Sequence, residues 1–510
     1  MAINFAEIWS TFDWIIIVAY FVAIISVGLV MRKRASKNMK SFFVASRRLT
    51  IPVLVGVGAA SWYDSWTIVG LAECGTTMGI CMIFIYIIPT AILRLPLAVW
   101  IGPLVRNKIP DWVLTMPDLM AYMYDKKTKF VMALGMLPPF LYESALLTAG
   151  GSVIAYVTGM NMWVAFVLLG IIIIFYTSLS GLWGLAVTDM MQFVVMSVAA
   201  GVLCFGLMAH FGGFGSLFDQ VGEVNPEFLT VTGGESPMSI LGWIISALAM
   251  YANSQSYQRF GSSKSGGDIK VSYTCIMIFG LFFSSIMVIA GMAALILFPE
   301  AAAEAPSEAF WATVFTTLPV GLRGLFVAAL LSAVMSTVSA DYLICGAVIV
   351  HDIIKSFFRP SLSDKGEVWG TRIVIWIVGL LIIICTYFWE DGISKAYYYC
   401  GGFQVAAFIV PLMLGLFYKK KTPAAGFWSL LLTIVQPRTF APIVAFVGAI
   451  LYVFFSKPSR RNVGQIMMGF GILFTGMFQM EGAVAGLKES ALFVELFTSL
   501  QNPVLGVLAG

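Results

Sequence analysis

The sequence predicts an all-α polytopic membrane protein, and three observations carry this prediction. Of the 510 residues, 60% are hydrophobic and only 11% are charged, which excludes an ordinary soluble globule. Uncharged apolar runs recur, and the run between Lys270 and Glu300 alone exceeds the roughly 20 helical residues that cross a bilayer. Basic residues are concentrated in alternate loops, as expected for loops on the cytoplasmic side.

The chain opens with one apolar helix and a basic loop, which we place together as an N-terminal unit over residues 1–49. The apolar run from Trp14 to Met31 is not framed by the basic region and cleavage site of a signal peptide, so it predicts a retained helix. The positive-inside rule assigns the following loop to the cytoplasm and the N-terminus to the outside. This loop contains seven basic residues: Arg32, Lys33, Arg34, Lys37, Lys40, Arg47 and Arg48.

Residues 50–210 are predicted to form a first repeat of five membrane segments. The first segment, from Pro52 to about Thr76, is interrupted by the stretch SWYDSW at 61–66, which places Asp64 at membrane depth. Non-helical backbone at this depth is tolerated only where it lines a cavity or is buried in protein, so we predict a broken helix. The other segments cover 82–99, 131–157, 163–179 and 185–208, with a short surface helix over 115–124.

Residues 211–421 are predicted to form a second repeat of five segments. Its first segment starts at Met238 and turns polar at 252–260, ANSQSYQRF, which indicates a second broken helix. Because each repeat has an odd number of crossings, the two repeats are inverted relative to each other. Inverted repeats with broken first helices are typical of secondary transporters that bind their solute near the bilayer midplane. The other segments cover 272–298, 326–352, 372–389 and 397–418.

One segment of the second repeat carries an unusual row of hydroxyl groups, and we name residues 326–352 the hydroxyl helix. Ser332, Ser336 and Ser339 recur at helical spacing with Thr337 beside them, and Asp341 follows. Small hydroxyl residues often serve only to pack helices closely. Four of them beside an ionisable residue favour a cation site, and oxygen ligands of this kind suit Na⁺.

The cysteines and histidines predict neither a disulfide framework nor a metal centre. The seven cysteines lie in or beside apolar segments without paired spacing. His210 and His351 lie at predicted helix ends with no acid at metal-ligand spacing.

Several short motifs, in this order along residues 1–436, resemble the sodium:solute symporter family. They are Thr115-Met116-Pro117-Asp118-Leu119, Ser180-Gly181-Leu182 with Ala186-Val187-Thr188-Asp189 and Gln192, Gln258-Arg259-Phe260, and the segment Pro411 to Gly426. The resemblance implies a LeuT-type 5+5 inverted-repeat core with extra flanking transmembrane helices. It also implies symport driven by sodium, in a multi-pass protein of the bacterial inner membrane.

The resemblance also implies particular Na⁺ ligands. The main site consists of the backbone carbonyls of Ala60, Tyr63 and Ala333 and the hydroxyls of Ser336 and Thr337. A second Na⁺ position of some members is matched by Asp189, Ser336 and Ser339. Ala340 stands where that position would require a further Ser, which weakens the case for a second ion.

Residues 422–510 are predicted to form additional helices that end in an atypical tail. The apolar run after Lys421 reaches Pro437 and Arg438 after only about 15 residues, fewer than a bilayer needs. The stretches 461–477 and 502–508 resemble the opening of a bacterial Na/phosphate cotransporter repeat. We therefore place a junction near Gln436 and predict no phosphate site in the tail.

Asp64 is the residue most informative about the solute. A carboxylate inside a membrane segment is costly and usually functional, and neighbouring aromatic rings favour a bound cation. We therefore predict an amine or amino-acid solute. The alternatives are that Asp64 bonds to another helix, assists Na⁺ binding or lies in a water-filled vestibule. The candidate pocket residues are Trp62, Asp64, Ser65, Trp66, Gln255 and Tyr257.

The predicted function is Na⁺-coupled symport of a small organic solute by alternating access. The alternatives are a membrane solute sensor without transport, an inactive hybrid, and coupling to H⁺ instead of Na⁺. No phosphate-binding loop or nucleophile and base motif is present, so an enzyme is not predicted. The expected partners are the solute and the lipid bilayer, without nucleic acid, and the sequence predicts no oligomeric state.

Overall fold

The computed structural model describes residues 9–35, 38–388 and 403–435, with isolated positions at 452 and 465. Two compact units divide the chain, Met1–Phe427 and Trp428–Gly510. All sites described below lie in the first unit. The predicted tail at 461–508 falls outside the described residues apart from position 465, so it stays a prediction.

The first half of the described chain is a series of helices joined by short turns. Its helices are α1 (Thr11–Ala35), α2 (Met39–Val44), α3 (Ile51–Trp62), α4 (Leu71–Met78), α5 (Ile88–Pro96), α6 (Gly102–Lys108), α7 (Met116–Met123), α8 (Lys126–Gly135), α9 (Tyr142–Thr158) and α10 (Met162–Phe211). π-Helical turns at Trp66–Gly70, Ile83–Ile87 and Leu97–Ile101 lead into α4, α5 and α6. The helix predicted over 115–124 is confirmed as α7.

The second half is built in the same way. Its helices are α11 (Phe214–Val224), α12 (Pro237–Ser246), α13 (Ser254–Ser262), α14 (Gly266–Leu297), α15 (Pro299–Glu304), α16 (Pro306–Thr317), α17 (Leu322–Ala347), α18 (Asp364–Tyr387), α19 (Val410–Phe417) and α20 (Pro423–Val435). A π-helix, Val348–Phe358, continues α17. Across the described residues, seven helical stretches are long and apolar enough to cross a membrane.

Both predicted broken helices are confirmed, and each break is built with the same device. Helix α3 ends at Trp62, Tyr63 leaves the helical region (φ −107°, ψ 74°), and Asp64 then accepts hydrogen bonds from the backbone N and Oγ1 of Thr67 at 3.1 and 3.3 Å. In the second repeat, Asn253 (φ −72°, ψ 114°) accepts a hydrogen bond from the backbone N of Ser256 at 2.9 Å. A short Asx side chain thus caps the helix that follows each break.

Helix α10 differs from the two separate segments predicted at 163–179 and 185–208. It runs through both without a linker and bends sharply at Gly181 (φ 51°, ψ −160°). A side chain is excluded there because a Cβ atom would lie 2.6 Å from Phe42. The glycine therefore allows one continuous run to serve as two crossings.

The hydroxyl helix is the centre of the bundle. Within residues 322–358, 89% of the membrane-length segment is buried inside the protein, against 22 to 61% for the other six stretches. The reason is that α17 packs against five helices: α1, α3, α9, α10 and α18. Its first turn is anchored by the N-terminal helix: Asp13 of α1 accepts hydrogen bonds from the backbone N of Gly321 and Gly324 at 2.9 and 2.8 Å. A carboxylate at a helix N-terminus satisfies donors that the helix leaves unpaired.

Candidate ion and solute site

The break in α3 lies directly against the hydroxyl helix. The Ser336 hydroxyl lies 2.6 Å from the Ala60 carbonyl of α3, 2.8 Å from the Ser332 carbonyl and 3.2 Å from the Ala333 carbonyl. Thr337 donates to the Ala333 carbonyl at 3.1 Å. One hydroxyl proton can serve only one of the three carbonyls near Ser336, so this cluster holds more oxygen acceptors than protons.

Four of the five residues predicted for the main Na⁺ site are therefore joined by these contacts. The fifth, Tyr63, is the residue at which α3 ends, so its carbonyl is released from the helical ladder. Its side chain points to another helix, because the Tyr63 hydroxyl donates to the Ile276 carbonyl of α14 at 2.9 Å.

Asp189, predicted for a second Na⁺ position, lies fully buried in α10. Ser61 and Arg259 are its polar neighbours, yet neither carboxylate oxygen completes a hydrogen bond. The Ser339 hydroxyl donates to the Ser336 carbonyl of its own helix at 3.1 Å. Tyr176, which donates to the Met335 carbonyl at 2.9 Å, is a neighbour of both Ser339 and Asp189.

A cavity opens beside the break, and we name it the central cavity. It lies between the two broken helices and the hydroxyl helix. Four of the six predicted pocket residues line it: Trp62, Asp64, Trp66 and Gln255. The structure places the other two elsewhere. Ser65 is fully buried and does not line the cavity, and Tyr257 lines a smaller cavity with Arg47 and Thr115.

Arg94 of α5 is a lining residue that sequence reasoning missed. Only 6% of it is exposed; its guanidinium lies 4.0 Å from the centre of the Trp62 ring and donates to the Tyr63 hydroxyl. Arg94 and Asp64 line the same cavity, but no ion pair joins them among the described residues. The available signal was a single Arg within the apolar run 82–99, because ionisable residues at membrane depth usually mark a pathway or a site.

Several buried polar atoms of the lining residues lack a hydrogen-bond partner. The donors are Arg94 Nε and Trp62 Nε1, and the acceptor is Gln255 Oε1. A buried polar atom without a partner is costly, so such atoms point to a ligand or to water. The Asp64 carboxylate, in contrast, accepts from Thr67 and, at 3.2 Å, from the Tyr142 hydroxyl. Asp64 caps the π-helical turn that leads into α4, which explains why an acid is present at membrane depth. The same carboxylate also lines the central cavity.

A second cluster of charges joins α7, α8, the π-helix after α17, and α18, and we name it the basic-end network. Lys129 Nζ lies 2.6 Å from Asp118 and 3.0 Å from Asp352. His351 lies between Asp118, at 2.9 Å, and Glu367, which also pairs with Lys355. The sequence shows no acid at metal-ligand spacing from His351, and the fold brings Asp118 and Glu367 to it from other helices.

This network explains one of the quoted motifs. Thr115 caps α7 and also donates to Asp352 at 2.8 Å, while Asp118 supplies the carboxylate that Lys129 and His351 share. Burial alone would raise the pKa of Asp118, but the hydrogen bond from His351 and the charges of His351 and Lys129 hold that pKa well below its usual range. Asp118, His351 and Asp352 have the spacing of metal ligands, but the Lys129 ammonium already pairs with both carboxylates.

Comparisons with known proteins agree with this geometry. The model of the sodium:solute symporter family matches residues 42–433. The osmoregulated proline transporter OpuE of Bacillus subtilis is 23% identical over 421 residues, which cover 79% of this chain and 83% of OpuE. A sodium/proline symporter of Staphylococcus aureus is 23% identical over 82% of this chain and 83% of its own length. The mouse sodium-coupled monocarboxylate transporter 2 is 24% identical over 76% of this chain and 64% of its own length.

Two solved structures share the fold. A Na⁺-coupled sialic acid symporter, in a substrate-bound outward-open state, superposes with a TM-score of 0.67 at 18% identity, over 92% of this chain and 98% of that one. The nucleobase-cation-symport-1 family transporter MHP1 has a TM-score of 0.51 at 14% identity, over 86% of this chain and 94% of that one. The fold is therefore the predicted LeuT-type inverted-repeat architecture, all-α and polytopic.

Proposed function

Because this chain belongs to the sodium:solute symporter family and is a Na⁺-coupled secondary transporter, we propose that Na⁺ binds where α3 breaks against the hydroxyl helix. The ligands are the carbonyls of Ala60, Tyr63 and Ala333 and the hydroxyls of Ser336 and Thr337. The observation that supports this most is the 2.6 Å contact between Ser336 Oγ and the Ala60 carbonyl. It brings oxygens of both proposed repeats, 50–210 and 211–421, to one point.

Na⁺ at this point couples to the solute because the same break shapes the central cavity. The ion ties α3 to α17, and the residues just after the Na⁺ ligands, Asp64 and Trp66, line the cavity. Solute is therefore held best when the ion is in place, and release of the ion on the other side loosens the cavity. This is reciprocal coupling between two ligands in an alternating-access cycle.

The solute is a small molecule with both an anionic and a cationic group, such as an amino or imino acid. Arg94 supplies a guanidinium and Asp64 a carboxylate to one cavity without pairing with each other. The unpaired donors Arg94 Nε and Trp62 Nε1 suit a carboxylate, and the acceptor Gln255 Oε1 suits an ammonium group. Proline, which several relatives are named for, has this charge pattern.

The basic end of the bundle faces the cytoplasm of a bacterial inner membrane, and the N-terminus faces outside. This orientation follows from the seven basic residues of the first loop and from the acidic loop at 211–237. One positive charge that crosses 100 mV inward then releases about 2.3 kcal/mol, enough for a roughly 50-fold solute gradient.

A second ion at Asp189 is a separate proposal. The buried carboxylate of Asp189 lacks a completed hydrogen bond, and a buried carboxylate of this kind is suited to bind a cation. Ala340, one residue beyond Ser339, supplies no hydroxyl to complete such a site. The charge that moves with each solute molecule tests this proposal. One charge per neutral zwitterion indicates one Na⁺, and two charges indicate two.

Uptake in proteoliposomes tests the main Na⁺ site. Purified protein is reconstituted with an inward Na⁺ gradient, and uptake of labelled proline and of a labelled amino-acid mixture is measured, with choline replacing Na⁺ in parallel. We expect Na⁺-dependent uptake, lost in Ser336→Ala/Thr337→Ala because two of five oxygen ligands are removed.

Ser332→Ala is the matched control on the same helix. Its hydroxyl donates at 2.7 Å to the Ala328 carbonyl within its own helix, one turn before Ser336. Uptake in this variant should keep the wild-type dependence on Na⁺. If the double variant retains that dependence as well, the proposed Na⁺ site is wrong.

A further inference from the structure

Arg94 of α5 is held by the two residues at which α3 breaks. Its guanidinium lies 4.0 Å from the centre of the Trp62 ring and 5.5 Å from the centre of the Tyr63 ring. Its Nη1 atom donates a hydrogen bond to the Tyr63 hydroxyl. Trp62 is the last residue of α3, and Tyr63 is the residue that leaves the helical region. The only Arg of the apolar run 82–99 is therefore attached to the break in the neighbouring helix.

The Tyr63 side chain has a fixed place on α14. Its hydroxyl donates to the Ile276 carbonyl at 2.9 Å, and the rings of Phe279 and Phe283 lie 5.4 and 5.7 Å from its own ring. Gly280 leaves room for this arrangement, because a Cβ atom at that position would collide with the Tyr63 hydroxyl. Tyr63 is only 4% exposed, so its packed ring holds the break at one place relative to α14.

The Arg94 guanidinium also keeps a donor for the solute. Arg94 lines the central cavity, and its Nε atom is buried without a hydrogen-bond partner. A carboxylate binds a guanidinium best as a planar fork, for example through Nε and one terminal nitrogen. A carboxylate bound through Nε and Nη2 leaves Nη1 to keep its bond to Tyr63. Arg94 can therefore hold a solute carboxylate and the Tyr63 hydroxyl at the same time.

We propose that Arg94 is a positioning residue that couples the solute to Na⁺ through the Tyr63 hydroxyl. A carboxylate on Arg94 fixes the guanidinium, the guanidinium fixes the Tyr63 side chain, and Tyr63 supplies a proposed Na⁺ ligand through its carbonyl. By reciprocity, Na⁺ on that carbonyl holds Arg94 where it receives the carboxylate. This inference rests on the Na⁺ and solute sites proposed above, and it adds a contact through which one site acts on the other.

A second route between the two sites does not use this contact. Asp64 follows Tyr63 directly, lines the central cavity and accepts hydrogen bonds from Thr67 and Tyr142. That route depends on the backbone of the break and not on the hydroxyl of Tyr63. Removal of this hydroxyl alone therefore tests the route through Arg94.

Equilibrium binding to purified protein in detergent is the experiment. The Kd for radiolabelled Na⁺ is measured without and with saturating L-proline, and the Kd for labelled L-proline is measured in choline and in saturating Na⁺. In the wild type, each ligand should lower the Kd of the other by one common factor, about 5- to 150-fold. We call this factor the coupling factor.

Tyr63→Phe should lower the coupling factor to about 3 or less, while each ligand alone binds within about threefold of its wild-type Kd. The variant keeps the aromatic ring, the carbonyl ligand and the charge of Arg94, and it loses only the hydroxyl that joins them. A purely structural role of the hydroxyl predicts the reverse pattern, in which both ligands bind more weakly alone and the coupling factor is kept.

Tyr251→Phe is the matched control. The Tyr251 hydroxyl donates at 2.6 Å to the carbonyl of Leu93, the residue before Arg94. This variant therefore also removes a tyrosine hydroxyl that is bonded to α5, but it leaves the break unchanged, and its coupling factor should equal that of the wild type. If Tyr63→Phe keeps the wild-type factor, or if Tyr251→Phe loses it equally, Arg94 does not act through Tyr63.

Arg94→Lys tests the other end of the contact. Lysine keeps the charge but lacks the planar fork, so L-proline should bind about tenfold more weakly and the coupling factor should fall as in Tyr63→Phe. The double variant Arg94→Lys/Tyr63→Phe should lower the factor no further, because both changes break one contact. A further loss in the double variant would show that the two residues act independently, against the proposal.

Failure of the proposed sites gives a different result. If Ser336→Ala/Thr337→Ala binds Na⁺ as the wild type does, the Na⁺ site is wrong, and if the wild type binds no L-proline, the solute is wrong. In either case the role of Arg94 in coupling is wrong as well. A wild-type coupling factor that persists in Tyr63→Phe overturns the role of Arg94 alone and leaves both sites standing.

Discussion

The basic-end network and the central cavity both bury charged side chains, but they treat them in opposite ways. In the network, Lys129 lies within 3.0 Å of Asp118 and Asp352, and His351 lies within 2.9 Å of Asp118 and Glu367. Arg94 and Asp64 both line the cavity without an ion pair between them, and the carboxylate of Asp189, a neighbour of the lining residue Ser61, lacks a completed hydrogen bond. The fold pairs the charges of the network with opposite charges, whereas Arg94 and Asp64 beside the cavity have hydrogen-bond partners but no ion pair with each other.

This difference separates stability from function. A buried charge that is paired and hydrogen-bonded contributes to holding helices together, and removing one partner leaves the other uncompensated. A charge at membrane depth without an opposite charge lowers the stability of the ligand-free protein, and a bound ligand can supply the missing partner. The network should therefore respond to mutation through unfolding, and the cavity through transport.

Lys129→Met should give the largest loss of stability. It leaves Asp118 and Asp352 facing each other without their shared cation, a change that typically costs about 3 to 5 kcal/mol. The measurement is the free energy of unfolding in detergent, from a denaturant titration followed by circular dichroism. Lys127→Met, an exposed lysine on the same helix, is the matched control and should cost almost nothing. Equal losses in the two variants would remove the structural role assigned to the network.

Asp64→Asn should show the opposite pattern. Asn still accepts from the Thr67 backbone, so the cap is kept and the unfolding free energy changes by no more than about 1 kcal/mol. Uptake of labelled proline or of an amino-acid mixture should fall about 10- to 100-fold, because each tenfold step corresponds to about 1.4 kcal/mol of lost attraction.

Asp64→Ala separates the two roles of this side chain. It removes the charge and the cap together, so stability should fall by about 0.5 to 2 kcal/mol while uptake falls as in Asp64→Asn. Unchanged saturable uptake in Asp64→Asn would show that the carboxylate serves only as a cap, and the solute hypothesis for Asp64 would then be wrong.

The broken helices and the hydroxyl helix were predictable because their signals are local. Polar residues such as Asp64 and Asn253 interrupt apolar runs, and the spacing of Ser332, Ser336 and Ser339 puts their hydroxyls near one helix face. The bend at Gly181 was not anticipated as a bend, since a glycine in an apolar run gives no sign that the helix continues beyond it.

The partners of buried charges were not predictable in this way. His351 meets Asp118 across 233 positions of sequence, and Arg94 meets Trp62 only because α5 packs beside the break. Tyr257 follows Gln255 by two residues, yet the two side chains line different cavities because successive positions on a helix face different directions. Pattern places a residue on an element, and only packing decides what it touches.

Asp13→Asn tests an intermediate case, a buried carboxylate satisfied by backbone donors and not by a cation. The Asn Oδ1 can still accept both bonds from Gly321 and Gly324, because both reach one oxygen of Asp13, but the variant loses the charge that favours a helix N-terminus. We expect a loss of about 0.5 to 1 kcal/mol in unfolding free energy, with Na⁺-dependent uptake kept. A loss as large as that of Lys129→Met would mean that α1 is as important to the bundle as the network is.

The smallest effect is expected where a pair is exposed. Asp111, with a side chain 74% exposed, contacts Lys40 at 3.1 Å and Arg47 at 3.2 Å, and the hydrogen bond from Lys40 together with the Arg47 charge lowers the pKa of Asp111. Because that pKa is depressed, the contribution of the pair is present above the unfolded pKa near 3.9 and is lost as the pH falls.

Lys40→Met should therefore change the unfolding free energy by only about 0.2 to 1 kcal/mol, and about 1 M salt should erase the difference by screening. Arg47→Met is the matched comparison on the same carboxylate. The Arg47 guanidinium is largely buried and also donates to the carbonyls of Asp111 and Val113, both at 3.1 Å, so its loss should cost more and persist in salt. If both variants lose the same amount of stability and salt erases both losses, burial does not determine how much a charge contributes to stability at this end of the bundle. The difference between the network and the central cavity could then not be explained by burial.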